Sequence, residues 1–288
     1  MRVLVAYDGS ACAEAALDNL GRAGLPADAR VKVLSVFESW LPPPYGLDIV
    51  DHVDLEKECL AMSRRGAERL AVMAPGWEVK AGWDAGSPAT SIIDNADGWG
   101  ADLVVVGSHG RTAVGQLLFG SVSQKTLHEA RCSVRVSRGR RVEPGLPVRL
   151  IIGIDGSVGA AAAVEAVAAR DWPADSEARI VNATWALPPS SPPHAGGTFI
   201  EWVVGEKTRI KKAIDELIGK LEAAGLKADA LVKEEEPKRL LISEAEDWGA
   251  DCIFVGARGL GGVGRFLLGS VSSSVAARAP CSVEVTRG

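Results

Sequence analysis

The sequence predicts an α/β fold: two tandem doubly wound domains, each a mainly parallel five-stranded sheet with helices on both faces. Three observations carry this expectation. First, the second half repeats the first at an offset of 147 to 149 residues. Val3–Ser10 (VLVAYDGS) returns as Leu150–Ser157 (LIIGIDGS), Trp99–Asp102 as Trp248–Asp251, and Cys132–Val136 as Cys281–Val285. A period this long marks duplicated domains and not a solenoid. Second, strand and helix signals alternate through each half. Third, strands such as Leu103–Val106 and Cys252–Val255 are continuous apolar runs, as expected where both faces of a parallel sheet are covered.

Taken in order, Arg2–Tyr7 reads as a strand and Ala11–Gly21 as an alanine-rich helix. Val31–Phe37 is a second strand, and roughly Leu47–Met73 is a long helix. Trp77–Gly82 is a short strand with alternating faces, and Pro88–Trp99 is a helix with Ile92, Ile93, Ala96 and Trp99 on one side. Leu103–Val106, a helix from about Val122, and Cys132–Val136 complete the half. The second half repeats the order, and its long helix sets Val203, Ile210, Ile214, Leu217 and Leu221 on one stripe. The segment Arg138–Pro147, rich in charge, glycine and proline, reads as a linker. The expected domains are therefore 1–138 and 148–288, joined by 139–147. Right-handed crossovers then place ligands outside the carboxyl ends of the strands.

Composition narrows the function classes. A formal net charge of −5 argues against nucleic acid and anionic membranes as partners, because a phosphate polymer calls for a basic face. There is no transmembrane run, and Asp8 and Glu14 break the first seventeen residues, so no signal peptide is expected. Five cysteines without a C-x-x-C spacing read as reduced thiols of a cytoplasmic protein. His52, His109, His128 and His194 show no metal-ligand spacing, and no catalytic triad or paired carboxylate stands out. No catalytic residue and no metal ligand is assigned.

The chemistry is expected at the strand ends. Gly107-x-x-Gly110 is followed after nine residues by Gly120-Ser121, and Gly256-x-x-Gly259 after nine by Gly269-Ser270. A strand, a glycine loop and a helix start make a phosphate cradle: the glycines allow positive φ and let backbone N–H groups approach an anion. Ser121 is placed to cap the next helix, with Gln124 completing a capping box; Ser270 has only Ser273 in that place. The alternative is that the glycines merely shape a loop. Asp8 and Asp155 follow the first strand of each half, where a carboxylate either only stabilises the turn or accepts hydrogen bonds from a nucleoside. Their Gly-Ser successors suit a tight turn and a helix cap. Gly259-x-Gly261-x-x-Gly264, with Glu284 twenty residues on, mimics a dinucleotide fingerprint. It follows the fourth strand and not the first, so it is discounted. No P-loop motif is present.

These residues resemble the universal stress protein family in its tandem form, and the resemblance covers nearly all of both halves. The family motif G-2x-G-9x-G-[S/T] is matched by Gly107, Gly110, Gly120 and Ser121, and by Gly256, Gly259, Gly269 and Ser270. The resemblance implies ATP, with its phosphates on the glycine loop and its nucleoside near Asp8 or Asp155. It puts the adenine contact on Val36 and Ala183, and His109, Arg258, Val122 and Val271 on the phosphate side. Mg²⁺ would be held mainly through the phosphates. The last strands of the halves would pair antiparallel, making an intrachain pseudo-dimer with two sheet edges closed. A non-enzymatic stress-response regulator with nucleotide and protein partners, able to dimerise further, is the reading this supports. A slow ATP hydrolase, or a scaffold holding AMP or another small ligand, are the alternatives.

The copies also differ. Gly86-Ser87-Pro88 in the first half aligns with Glu235-Glu236-Pro237, a pair of carboxylates that would either repel phosphates or form a solvated run with Lys233 and Glu234. Arg258 and Arg265 replace His109 and Gln116, and two guanidiniums would favour a polyphosphate. The expectation is two nucleotide sites of unequal affinity. The proline-rich segments Trp40–Tyr45 and Leu187–His194 read as stiffened connections, with a lid or docking segment as the alternative.

Overall fold

The computed structural model describes residues 1–38, 51–109, 119–138, 146–184, 211–259 and 268–287, with side chains from residue 55 in the second stretch. The proline-rich segments, Gly110, Gln116, Arg265, Val203, Ile210 and most of the false dinucleotide fingerprint lie outside these residues. In the first half β1 (Arg2–Ala6), α1 (Ala11–Leu20), β2 (Arg30–Phe37), α2 (Asp51–Met73) and β3 (Glu78–Ala85) come first. They are followed by α3 (Pro88–Trp99), β4 (Leu103–Gly107), α4 (Ser121–Glu129) and β5 (Ser133–Ser137). The second half runs β6 (Arg149–Ile154), α5 (Val158–Ala168), β7 (Glu177–Thr184), a helix α6 over 211–223, and β8 (Lys227–Glu234). It ends with α7 (Pro237–Asp247), β9 (Cys252–Gly256), α8 (Ser270–Arg278) and β10 (Ser282–Thr286).

Among the described residues the strands join one ten-stranded sheet in the order β3-β2-β1-β4-β5-β10-β9-β6-β7-β8. Pairing is parallel within each half, and the halves meet through antiparallel β5 and β10, with Arg135 opposite Glu284. The expected fold and pseudo-dimer are both present. Joining β5 to β10 satisfies ladder groups that would otherwise be open edges. The remaining edges, β3 and β8, carry charged residues such as Glu78, Lys80, Lys227 and Asp229, which oppose edge-to-edge pairing.

Alternation along each strand feeds three cores. Leu4, Val104 and Val106 point to a cluster shared by both halves, which also takes Ile92 of α3, Leu127 of α4, Leu240 of α7 and Val275 of α8. Val3, Val5, Leu103 and Val105 point the other way, onto Leu17 of α1 and Leu70 of α2. Leu150, Ile152 and Phe254 do the same in the second half, where Ile214 and Leu221 of the predicted stripe are buried and Leu217 is partly so.

The seam is polar at its centre. Glu284 is fully buried and accepts from Arg135 Nη1 at 3.2 Å and from Arg170 Nη1 at 3.0 Å, with a second bond from Arg170 Nη2. Arg287 Nη2 donates to Leu127 O at 2.5 Å and Arg138 Nη2 to Ala277 O at 3.1 Å, so each half ends on an arginine that serves carbonyls of the other half's last helix. Gly24, at φ 64°, lies against Trp172, whose ring would be 2.8 Å from a Cβ there. Only glycine satisfies both conditions.

On the α1–α2 side, Tyr7 donates to Glu14, and Arg69 joins Glu14 to Asp18. Burial first, and then the Glu14 carboxylate, push the Tyr7 phenol up to about 12. The folded pKa is raised, so the stabilisation is complete below the unfolded value of 10.0 and is lost as pH rises through about 12. An absorbance titration of the Tyr45→Phe variant, which leaves Tyr7 as the sole tyrosine, should give a midpoint near 12. An ordinary midpoint would contradict the buried Tyr7–Glu14 bond.

Candidate functional site

The carboxyl ends of β1 and β6 carry matching turns. Asp8 Oδ1 accepts from Ser10 N and Asp155 Oδ1 from Ser157 N, each at 3.0 Å. Gly9 and Gly156 between them have φ 73° and 82°, which requires glycine. The Ser10 and Ser157 hydroxyls then accept from Ala13 N and Ala160 N at 3.2 Å, capping α1 and α5. The tight turn and the helix cap expected of the Asp-Gly-Ser triplet are thus seen. Two side chains that the sequence reading missed clip the next strand to this end. Ser35 Oγ donates to Tyr7 O at 2.6 Å, and Asn182 Nδ2 donates to Ile154 O at 3.0 Å.

The positive φ expected of the glycines near the ends of β4 and β9 is not found. Among the described residues neither Gly107, Gly120, Gly256, Gly259 nor Gly269 has positive φ. Close approach is what constrains Gly107 and, more severely, Gly256. A Cβ on Gly107 would lie 3.2 Å from Cys12 Cβ, and one on Gly256 would lie 2.5 Å from Gly159 O and 2.7 Å from its Cα. A Cβ on Gly259 would collide with Asp155 Oδ2, so the second glycine loop and the first-strand aspartate are brought together in space.

The capping box is also corrected. Gly120 and Gly269 are the N-cap residues, while Ser121 and Ser270 are the first, exposed helical residues; no side chain caps either helix. The reason is tertiary. Gly120 N donates to Ser108 O at 2.9 Å and Gly269 N to Ala257 O at 2.7 Å, which draws the glycine in and turns the serine one position outward. The serines two residues later do the fastening: Ser123 Oγ donates to Gly107 O at 2.6 Å and Ser272 Oγ to Gly256 O at 2.5 Å. The signal for them was present as G-S-V-S in both copies. Among the described residues no N-cap side chain takes the N–H donors of these helix starts, which lie beside glycine strand ends where a side chain would obstruct approach. Those features fit an anion.

Val36 and Ala183, near the ends of β2 and β7, and Val122 and Val271, in the first turns of α4 and α8, are partly buried against the shared core. His109 Nδ1 lies 2.8 Å from Ser108 Oγ and 3.8 Å from Cys12 Sγ. Its partner in the second half, Arg258, is partly exposed, and its carbonyl accepts from Ser157 Oγ at 3.3 Å. Glu236 caps α7 by accepting from Arg239 N at 3.0 Å, and Glu235 pairs with Lys233 at 2.7 Å and Arg239 at 3.2 Å. The Lys233 bond holds the Glu235 carboxyl below its usual range. These carboxylates therefore act as a solvated, paired run. Among the described residues no group of three His, Cys, Asp or Glu could hold a metal, and no helix is long and apolar enough to cross a membrane.

A doubly wound unit repeated in one chain, joined through its last strands and carrying the same glycine-and-aspartate design at both sets of strand ends, defines a duplicated α/β protein with paired candidate sites. The chain belongs to the universal stress protein family, whose sequence model matches residues 1–138 and again 148–287. It is 29% identical over 294 residues to a universal stress protein of Mycolicibacterium smegmatis, covering 99% of this chain and 96% of that one. A universal stress protein of Thermus aquaticus is 35% identical over 144 residues, covering 47% of this chain and 97% of its own length. In fold, the crystal structure of a universal stress protein from Archaeoglobus fulgidus superimposes with a TM-score of 0.71 at 24% identity, covering 99% of this chain and 98% of that one.

Proposed function

We propose that the chain binds ATP at the strand ends of both halves, with unequal affinity, and serves stress responses through the nucleotide-bound state. The observation that carries this reading is the pair of uncapped helix starts, Gly120-Ser121 and Gly269-Ser270, each beside a strand-end glycine. Each favourable charge contact at such a terminus is worth about 0.3–1 kcal/mol when exposed, so a polyphosphate spanning several donors gains most. The first-turn amides of α4 and α8, with the exposed Ser121 and Ser270 hydroxyls, would hold phosphate oxygens. Asp8 and Asp155 would accept from ribose hydroxyls, and Val36 and Ala183 would face the base. Arg258 adds a cation where the first half has His109, which supports unequal affinity. Mg²⁺ would supply charge neutralisation on the phosphates. Ligand binding then stabilises whichever conformation holds it, by mass action.

Titrating ATP by calorimetry into the Gly110→Val and Gly259→Val variants tests the proposal. Each is expected to lose one of two sites, because a side chain at Gly259 collides with Asp155 and Gly110 is its counterpart by sequence. Two undiminished sites in both variants, or no binding by the unaltered chain, would overturn it. Chromatography of the nucleotide released after incubation with Mg²⁺ separates the regulator from the hydrolase, since only the latter accumulates ADP.

A further inference from the structure

Of the five cysteines, Cys59, Cys252 and Cys281 are buried, whereas Cys12 and Cys132 are partly exposed. Burial pushes the Cys132 and Cys252 thiols up to about 11, and Cys281 is pushed up as well. Cys12 has different surroundings. It is the second residue of α1, in the turn whose N–H groups point toward its end. Its Sγ lies 3.8 Å from His109 Nδ1 and 4.0 Å from Ser108 Oγ, and that hydroxyl, 2.8 Å from the same Nδ1, holds the imidazole in place. A partly exposed sulfur with an imidazole nitrogen and a hydroxyl beside it has the surroundings of a reactive thiol and not of a core one.

The repeat supplies an internal comparison. Gly159, Ala257 and Arg258 stand where the first half has Cys12, Ser108 and His109. The second half builds the same strand, loop and helix start without any of the three, so the fold does not require them. In the second half the absence of a side chain at position 159 lets the Arg258 carbonyl close on α5. In the first half that space holds the Cys12 thiol and the His109 ring.

We propose that Cys12 is a nucleophilic thiol with His109 as its proton acceptor, making the first half a modification site for small electrophiles of the hydroperoxide class. In the reaction the Cys12 sulfur attacks one peroxide oxygen, forming an S–O bond as the O–O bond breaks. The thiol proton passes through His109 Nδ1 to the departing hydroxide, which leaves as water. Sulfur is oxidised by two electrons to the sulfenic acid and the peroxide is reduced. The thiol chemistry does not depend on nucleotide binding, and its test contains no nucleotide.

The experiment treats the full chain with hydrogen peroxide, traps sulfenic acid with dimedone, and follows each cysteine by peptide mass spectrometry. Cys12 is expected to react at least about tenfold faster than Cys132, the other partly exposed thiol, and His109→Gln to slow Cys12 by about tenfold or more. Cys132 in the same sample reports any change in reagent or folding. Ser108→Ala, which keeps the imidazole, should slow Cys12 by a smaller factor and carries the test if His109→Gln melts early by circular dichroism. Equal rates at Cys12 and Cys132 would overturn the proposal. So would an unchanged Cys12 rate in a folded His109→Gln chain, or in Ser108→Ala if that variant alone is folded.

Discussion

Replacing Glu284 by glutamine is expected to destabilise the chain by about 3–5 kcal/mol, the cost of stranding buried charge when one partner of an ion pair is removed. Glu284 is fully buried, and it is the carboxylate that both Arg135 and Arg170 meet. Glutamine keeps the volume and one acceptor but leaves two guanidiniums at the seam without a counter-charge. Chemical denaturation followed by circular dichroism measures the loss. Glu78→Gln is the reference, because Glu78 is half exposed and paired with Arg30 and Lys80 at the sheet edge. Exposed pairs of that kind contribute little, because water and salt screen them. Equal effects at the two positions would show that the seam does not depend on its central charge. The geometry also bears on how the halves choose each other. Arg135 and Glu284 are equivalent positions of the repeat, and they face each other in the antiparallel register. A pairing of two like halves would set arginine against arginine or glutamate against glutamate there, so the charges suit unlike halves.

Gly256→Ala should be far more damaging than Gly107→Ala, although the two glycines occupy the same place in the repeat. The added methyl at Gly256 overlaps the carbonyl of Gly159, a backbone group that cannot rotate away, whereas at Gly107 the nearest atoms of Cys12 lie at 3.2–3.3 Å. Overpacking of this kind costs about 1–3 kcal/mol, and here it separates the end of β9 from the start of α5. If the second half binds ATP as proposed, its affinity should fall by about tenfold for each 1.4 kcal/mol that the displacement removes. Gly107→Ala should keep most of the binding proposed for the first half. Thermal melts and ATP titration of both variants check this; equal losses would mean that the two loops are built alike.

Much of the architecture was legible in the residues. Pro88–Trp99 is a helix over the expected bounds, and the other elements moved by a few residues at their ends, as when the strand expected at Trp77–Gly82 became Glu78–Ala85. Apolar periodicity is a local property, and a repeat states it twice. The site was less legible because its details depend on contacts between segments far apart in sequence. The serine expected to cap α4 is displaced by a bond from Gly120 N to Ser108 O, and the fastening falls to Ser123. Positive φ was expected at the glycines, yet what crowds Gly107 and Gly256 is the helix packed across from the strand end. Glu235 and Glu236 could be resolved only by seeing their partners, Lys233 and Arg239.

Duplication, the doubly wound topology, the antiparallel meeting of the last strands and the placement of aspartate and glycine at the strand ends all follow from the one-dimensional pattern of apolar runs, turns and repeated motifs together with the family resemblance. The fate of Glu284 does not. In the sequence it lies twenty residues beyond the glycines of a false dinucleotide fingerprint; in the fold it is the buried carboxylate between Arg135 and Arg170. Burial and charge pairing are set by which distant side chains share a volume, and only the folded chain brings those side chains together.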